Sequence, residues 1–410
     1  MLHKSFTMIP FSPPRIDQKI VDEVAKSLTS GWITTGPKTK GLEQKIANYC
    51  GVSKVLCVNS ATAGMELMLR YMGIGPGDEV IVPAYTYCAT ANVVCHTGAT
   101  PVMVDVKAND FNINPELVEQ AITEKTKAII AVDFAGLPCD YDDLNDLVQK
   151  ASVKSLFKAN NDRQEKLGRI LVMSDAAHSF GGIYYGTSVG SLCDVTVFSF
   201  HAVKNLTTAE GGAICLNFPN SFDHEKIYKE LNSLSLHGQS KDAFAKSQKG
   251  AWEYDVLEPG YKCNMTDIHA AIAYIEIDRY EENLERRKHI FDAYATAFTE
   301  QEWAEIPCFE TDVKISSYHV FALRIKGVSM EQRNAIIQQI FDKEVSVNVH
   351  FKPLPLLTAY KKRGYDINNY PVANANFERE ISLPVYFDLS DEQIQTVIKA
   401  VINSVNEIIQ

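Results

Sequence analysis

The sequence has no apolar run approaching the roughly 20 residues that a bilayer-crossing helix needs, so no membrane insertion is expected. Its opening stretch, MLHKSFTMIPFSPP, lacks the basic-then-apolar pattern of a secretory signal and meets prolines early, which points to a cytoplasmic location. No Cys-x-x-Cys pair occurs among the 9 cysteines. Scattered and odd in number, they fit reduced thiols rather than a disulfide framework, and they offer no metal site. Basic residues are in deficit, 40 Lys and Arg against 51 Asp and Glu, for a net charge of -11. That balance argues against nucleic acid as a partner, though a local cationic patch can still hold a small anion. A working dinucleotide loop is missing too. Gly73-Ile-Gly75-Pro-Gly77 has the glycines, but it follows a helical pattern and precedes a strand, the reverse of the order a dinucleotide fold requires.

What is present is an alternation of helix and strand signals. Residues 17–30 carry Ile20, Val21, Val24 and Leu28 at helical spacing. Short apolar strands are expected at 54–58, 79–83, 100–105, 127–132, 169–173, 194–198 and 213–216, with helices over 62–72, 89–96 and after the Asn114-Pro115 cap. This rhythm specifies an α/β fold with a large, mostly parallel, doubly wound sheet. A long helical pattern from 266 to about 299 leads into a smaller α+β unit, with strand patterns at 318–325 and 345–349 and helices at 329–343 and from about 390. Domains of 1–285 and 286–410 are expected, with the N-terminal segment free to pack on the smaller one. The polar stretch 152–168 reads as a surface insertion.

Ligands of such sheets bind beyond the carboxyl ends of the strands. Four features fall there. Lys204 lies in Ser199-Phe-His-Ala-Val-Lys204, between two strands, where a desolvated amine can act as nucleophile and proton carrier. Asp175 ends a buried strand; it either pairs with a cation, such as a protonated pyridine nitrogen, or caps the next turn. Ser60-Ala61-Thr62-Ala63-Gly64 opens a helix with small residues, as a phosphate cup or an ordinary N-cap, and Ser199 could add a hydroxyl. Tyr87 offers an aromatic face. Together these are the parts that hold pyridoxal 5'-phosphate (PLP). Gly211-Gly212 reads as a tight return into the next strand.

The ordered segments Gly31-Trp-Ile-Thr-Thr-Gly-Pro37, Ser60-Ala-Thr-Ala-Gly64, Gly77-Asp-Glu-Val-Ile-Val-Pro83, Gly98-Ala-Thr-Pro-Val-Met-Val-Asp105, Asp175-Ala-Ala-His178, Ser199-Phe-His-Ala-Val-Lys-Asn205, Glu210-Gly-Gly212 and Pro259-Gly-Tyr-Lys-Cys-Asn-Met-Thr-Asp267 resemble the DegT/DnrJ/EryC1/StrS family. These are fold-type I, PLP-dependent aminotransferases that aminate nucleotide-linked keto-sugars. Within the family the chain is most similar to the members that make UDP-4-amino-4-deoxy-L-arabinose for lipid A. The resemblance implies that Lys204 bonds the cofactor and moves protons, and that Asp175 holds the pyridine nitrogen protonated. It implies that His178 contacts the phenolic oxygen, Tyr87 stacks on the ring, and Ala61, Thr62 and Ser199 bind the phosphate. Asn264 matches a residue that reaches the phosphate from a second subunit, implying a homodimer with shared active sites. Trp32, Thr34, Thr35, His201, His319 and His350 are expected near the sugar, with Lys38, Lys352 and Arg363 as candidates for the diphosphate. L-glutamate is the implied amino donor. Ser174 departs from the acidic residue usual before the aspartate, and 152–168 is longer than usual. Some relatives that dehydrate sugars carry histidine in place of the lysine. With Lys204 present and His201 three residues earlier, aminotransfer is favoured over dehydration and over a non-catalytic sensor role.

Overall fold

The computed structural model describes residues 8–240 and 253–409. Seven strands build the main sheet: β1 (Lys54–Val58), β2 (Glu79–Pro83), β3 (Thr100–Val104), β4 (Thr126–Val132), β5 (Leu171–Asp175), β6 (Val195–Ser199) and β7 (Gly212–Leu216). Their spatial order is β1-β7-β6-β5-β4-β2-β3. The five strands from β6 to β3 run parallel, and β7 is antiparallel to both β1 and β6. Burial of β4, β5 and β7 along their whole length explains their unbroken apolar runs. Helices cover both faces, and strand ends β1, β5 and β6 open onto one edge.

A second core surrounds Phe291, Tyr294, Phe298 and Phe321. Its sheet has the order β8 (Ala304–Glu305), β9 (Phe321–Ile325), β10 (Glu380–Leu383), all antiparallel. Helices Met330–Asp342 and Asp391–Ile409 pack together beside it. Ser329 starts the first of these with a reciprocal cap to Gln332. Ile9 exchanges backbone hydrogen bonds with Glu344 and Ser346 at 2.8 and 2.9 Å beside this core.

Several local expectations are corrected. Residues 345–349 form no strand despite their valines; Val345 bridges only Ile9, and Asn348 only Ser382. The 318–325 strand begins at Phe321, because Tyr318 turns through a positive φ of 54°. The 266–299 pattern is two helices, Asp267–Glu276 and Tyr280–Thr299, joined by the 3-10 turn Ile277–Arg279. The 152–168 stretch is a largely exposed segment with helical structure of its own. It holds helices Ala151–Leu156 and Asp162–Leu167, tied by Asn161 and Arg163 to the carbonyls of Met72 and Tyr71. Those carbonyls lie at the end of the Ala61–Tyr71 helix, away from its N-terminal cup.

Between β5 and β6, Arg169 grips Asp194 through two hydrogen bonds of 2.7 and 2.6 Å, and the same carboxylate takes the Val172 N–H at 3.0 Å. Both side chains are buried. Asp194→Ala would strand the guanidinium without its counter-charge, so a loss of about 3–5 kcal/mol is expected in urea unfolding. A loss below about 1 kcal/mol would place that pair in the exposed class.

Candidate active site

β1 ends at Val58, and Ser60, in extended conformation, caps the helix Ala61–Tyr71 by accepting the Ala63 N–H at 3.1 Å. The Ala61 and Thr62 N–H groups belong to the first turn, which has no intrahelical acceptors, and they face outward with the helix dipole behind them. Gly212, the first residue of β7, runs directly beneath. A Cβ there would stand 2.5 Å from the Ala61 nitrogen and 2.6 Å from the Ser60 carbonyl carbon. Neither Gly211 nor Gly212 has a positive φ. The expectation of a tight return is therefore corrected: the glycine is needed for close approach, not for a turn. Ser199, at the end of β6, lines the same cavity.

That cavity measures about 370 Å³ and is lined by the cup, Asp175, His178, Lys204, Tyr87 and residues of the smaller unit. Asp175 is 5% exposed. Thr90 donates to it at 2.8 Å and the Ala177 N–H at 3.4 Å. Burial pushes its carboxyl up, against the Thr90 hydrogen bond. Lys204 is pushed the other way: burial lowers its amine from 10.5 to about 8, partly opposed by the charge of Asp175. Both groups are thus driven toward neutrality by the same desolvation. Asp133, at the end of β4, looks similar in sequence but differs in use. Its oxygens are taken by Ser179, Tyr141, Ser174 and the Cys139 N–H, so it is structural.

Three histidines close the cavity. Burial holds all of them neutral, with His350 lowered to about 3. The His178 Nδ1 accepts the Ala135 N–H at 3.2 Å, which leaves its proton on Nε2. Asn205 donates to the Ser317 carbonyl, so its oxygen accepts from His319 Nδ1 at 2.7 Å. His178 and His319 lie 4.4 Å apart between ring centres. Phe351 stacks on His178 and Phe11 on His350. Tyr87 is 60% exposed, with its ring tilted 5.8 Å from Phe351. His201 is an exposed lining residue 3.7 Å from Glu210.

The remaining expected residues gather elsewhere. The Asp267 carboxylate takes the N–H groups of Gly36, Lys38 and Thr39, holding the 32–38 loop. Thr34 accepts from the Asp267 backbone, Trp32 donates to the Thr35 carbonyl, and Asn264 donates to Thr35. None of Trp32, Thr34, Thr35 or Asn264 lines this chain's cavity. Lys38 pairs with Glu23, while Lys352 and Arg363 are exposed. Phe11, Ser12 and Phe351 line the cavity without having been expected. Phe351 directly follows the candidate His350; for the N-terminal Phe11 the sequence holds no local signal.

The chain belongs to the DegT/DnrJ/EryC1/StrS aminotransferase family, whose model matches residues 14–161 and 162–402. It is similar to a Streptococcus pneumoniae chain described as a sugar aminotransferase. In that protein's pyridoxamine phosphate (PMP) form the identity is 50% and the TM-score 0.94, over 98% of this chain and 100% of that one. A PLP form of the same protein is also matched, at 48% identity. Among curated relatives, a spore coat polysaccharide biosynthesis protein of Bacillus subtilis is 36% identical over 98% of each chain. An uncharacterized protein of Methanocaldococcus jannaschii is 38% identical over 99% of this chain and 100% of its own. The protein is a PLP-dependent aminotransferase of the sugar-aminating family. Its cavity fits that cofactor: a buried carboxyl for the ring nitrogen, an amine for the aldehyde, and a cup kept open for phosphate by Gly212.

Two outcomes follow. Gly212→Ala is expected to weaken cofactor binding by about 1.5–3 kcal/mol for each charged hydrogen bond displaced from the cup, read by cofactor titration; unchanged affinity would contradict the cup. The lowered amine sets the pH dependence of recombination between cofactor-free protein and cofactor. Because the neutral amine is the nucleophile, the rate is expected to rise with pH through about 8 rather than 10.5.

Proposed function

We propose that this enzyme transfers the amino group of an amino acid, L-glutamate, to a nucleotide-linked keto-sugar, a 4-keto-hexose or 4-keto-pentose. The amino sugar would serve cell-surface polysaccharide or lipid A biosynthesis. The carrying observation is the convergence of Lys204 and Asp175 on one cavity in a chain of the sugar aminotransferase family. The B. subtilis relative, named for polysaccharide biosynthesis, favours the polysaccharide branch.

Bound PLP supplies an electron sink for the pair released when a substrate C–H bond breaks. The chain's own residues do the rest. Lys204 would hold the cofactor by its aldehyde carbon, and its freed amine would carry the proton to and from the substrate carbon. Its depressed basicity keeps a large neutral fraction near physiological pH. Asp175 would accept the hydrogen bond of the pyridine N–H, whose positive charge would favour the ionised carboxyl. His178, neutral with its proton on Nε2, donates to the phenolic oxygen. Ala61, Thr62 and Ser199 would hold the phosphate, and Tyr87 would stack on the ring. Phe11 and Phe351 line the cavity and exclude water from it.

The reading extends to a homodimer with shared active sites. The partner's Asn264 would reach the phosphate, and the 32–38 loops would bring Trp32, Thr34 and Thr35 to the sugar across the interface. His201, His319 and His350 face the sugar from this chain, and Lys352 and Arg363 are free to meet the diphosphate, with Lys38 exchanging Glu23 for it.

The test is turnover of L-glutamate with 4-keto and 3-keto sugars on UDP, GDP and dTDP, followed by mass spectrometry. A glutamate-dependent amine is expected, slowed about 10²–10⁴-fold by Lys204→Ala. Loss of water from the sugar without glutamate would instead establish a dehydratase.

A further inference from the structure

Behind the cavity wall an unbroken hydrogen-bond chain leads away from His350. Its Nδ1 lies 2.8 Å from Ser382 Oγ. Ser382 in turn donates to Glu380 Oε1 through a very short contact. The other oxygen, Oε2, accepts the His350 backbone N–H at 3.0 Å. Ser382 and Glu380 are 0% exposed and lie on β10, whereas His350 lines the cavity beside Lys204. While Glu380 is ionised the Ser382 hydrogen points at it, so the Ser382 oxygen accepts from His350 Nδ1 and His350 turns an unprotonated Nε2 toward the cavity. The Tyr85 hydroxyl fixes the His350 carbonyl at 2.6 Å, and the Phe11 ring lies against the imidazole.

We propose that His350, Ser382 and Glu380 form a proton relay that takes a proton from a substrate ammonium in the cavity and stores it on the buried Glu380 carboxylate. The inference rests on the reading that an amino acid delivers its nitrogen here. That nitrogen arrives as an ammonium, and it must lose a proton before its lone pair can attack. In the step, a substrate N–H bond breaks and Nε2–H forms; Nδ1–H breaks and Ser382 Oγ–H forms; the original Ser382 O–H breaks and Glu380 Oε1–H forms. The ammonium loses one positive charge and Glu380 one negative charge. His350 is neutral before and after, so the imidazolium, which burial and the Lys204 charge strongly disfavour, never forms.

The surroundings suit a carboxyl that takes up and gives back a proton. Glu380 faces Arg333 on helix Met330–Asp342, which donates to its backbone carbonyl at 2.7 Å, and Arg324 on β9, whose guanidinium is occupied by Glu305. The Tyr85 hydroxyl lies within electrostatic reach. Burial outweighs these cations and hydrogen bonds and raises Glu380 to about 8. On the cavity side the groups facing His350 are Lys204, His178 and His319.

The test is nitrogen NMR of histidine-labelled holoenzyme, with His350 assigned by its loss in His350→Asn. As pH falls through about 8, Nε2 is expected to change from an acceptor to an N–H nitrogen with no imidazolium signal. Ser382→Ala breaks the chain and should abolish that change, and Glu380→Gln should hold one tautomer at all pH values. A His350 tautomer that is constant with pH in the wild type would overturn the relay. In single-turnover mixing of the PLP form with L-glutamate, both relay variants should slow the donor half-reaction about 10²-fold and lose its wild-type pH dependence. Unchanged rates and profiles would also overturn it. A wild-type enzyme that no amino acid converts would sink the donor reading alone, with the tautomer measurement still judging the relay.

Discussion

The molecule depends on one electrostatic tension. Asp175, buried, and Lys204, half-buried, face the same cavity, and desolvation drives the acid up and the amine down. Neither is comfortable in its charged form on protein contacts alone. A cofactor with a cationic ring nitrogen and an aldehyde answers both: the nitrogen gives the carboxylate its counter-charge, and the aldehyde consumes the neutral amine. The parallel sheet makes the meeting possible, because β5 ends at Asp175 and β6 delivers the turn that carries Lys204. The Arg169–Asp194 clamp lies at the other end of the same two strands and fixes their separation there.

The rest of the cavity is arranged around that pair by proton placement. His178 offers a proton and His319 a lone pair, while His350 offers a lone pair when Glu380 is ionised, and in each case the partner of the far nitrogen decides which. This gives three chemically identical rings different tasks without any of them carrying charge. The smaller unit matters for this reason. It supplies His319, His350, Ser382 and Glu380, and the N-terminal segment that docks on it through Ile9 brings Phe11 to the wall.

Much of the main sheet and its ligand edge was legible in the residues. Lys204, Asp175, Ser199 and the Ser60 cap each fall just after an apolar run, and strand alternation alone says that such positions share an edge. What was not legible is tertiary in origin. Glu380-Ile-Ser382-Leu383 reads as an ordinary short strand, and only the fold puts its polar face behind His350. Residues 345–349 have strand propensity but find partners only at Ile9 and Ser382, a case of tertiary context overriding local preference. Gly212 looked like turn punctuation because a glycine needed for close approach carries no signature distinct from one needed for a positive φ. Trp32, Thr34 and Thr35, expected near the sugar, gather with Asn264 around Asp267 and do not line the cavity.

The most direct measurement is borohydride trapping of the yellow holoenzyme followed by peptide mapping. Reduction fixes whatever bond joins the cofactor's aldehyde carbon to the protein. The account predicts a single modified peptide, 199–212, with the added mass on Lys204. Modification of another lysine, or none with cofactor retained, would contradict it.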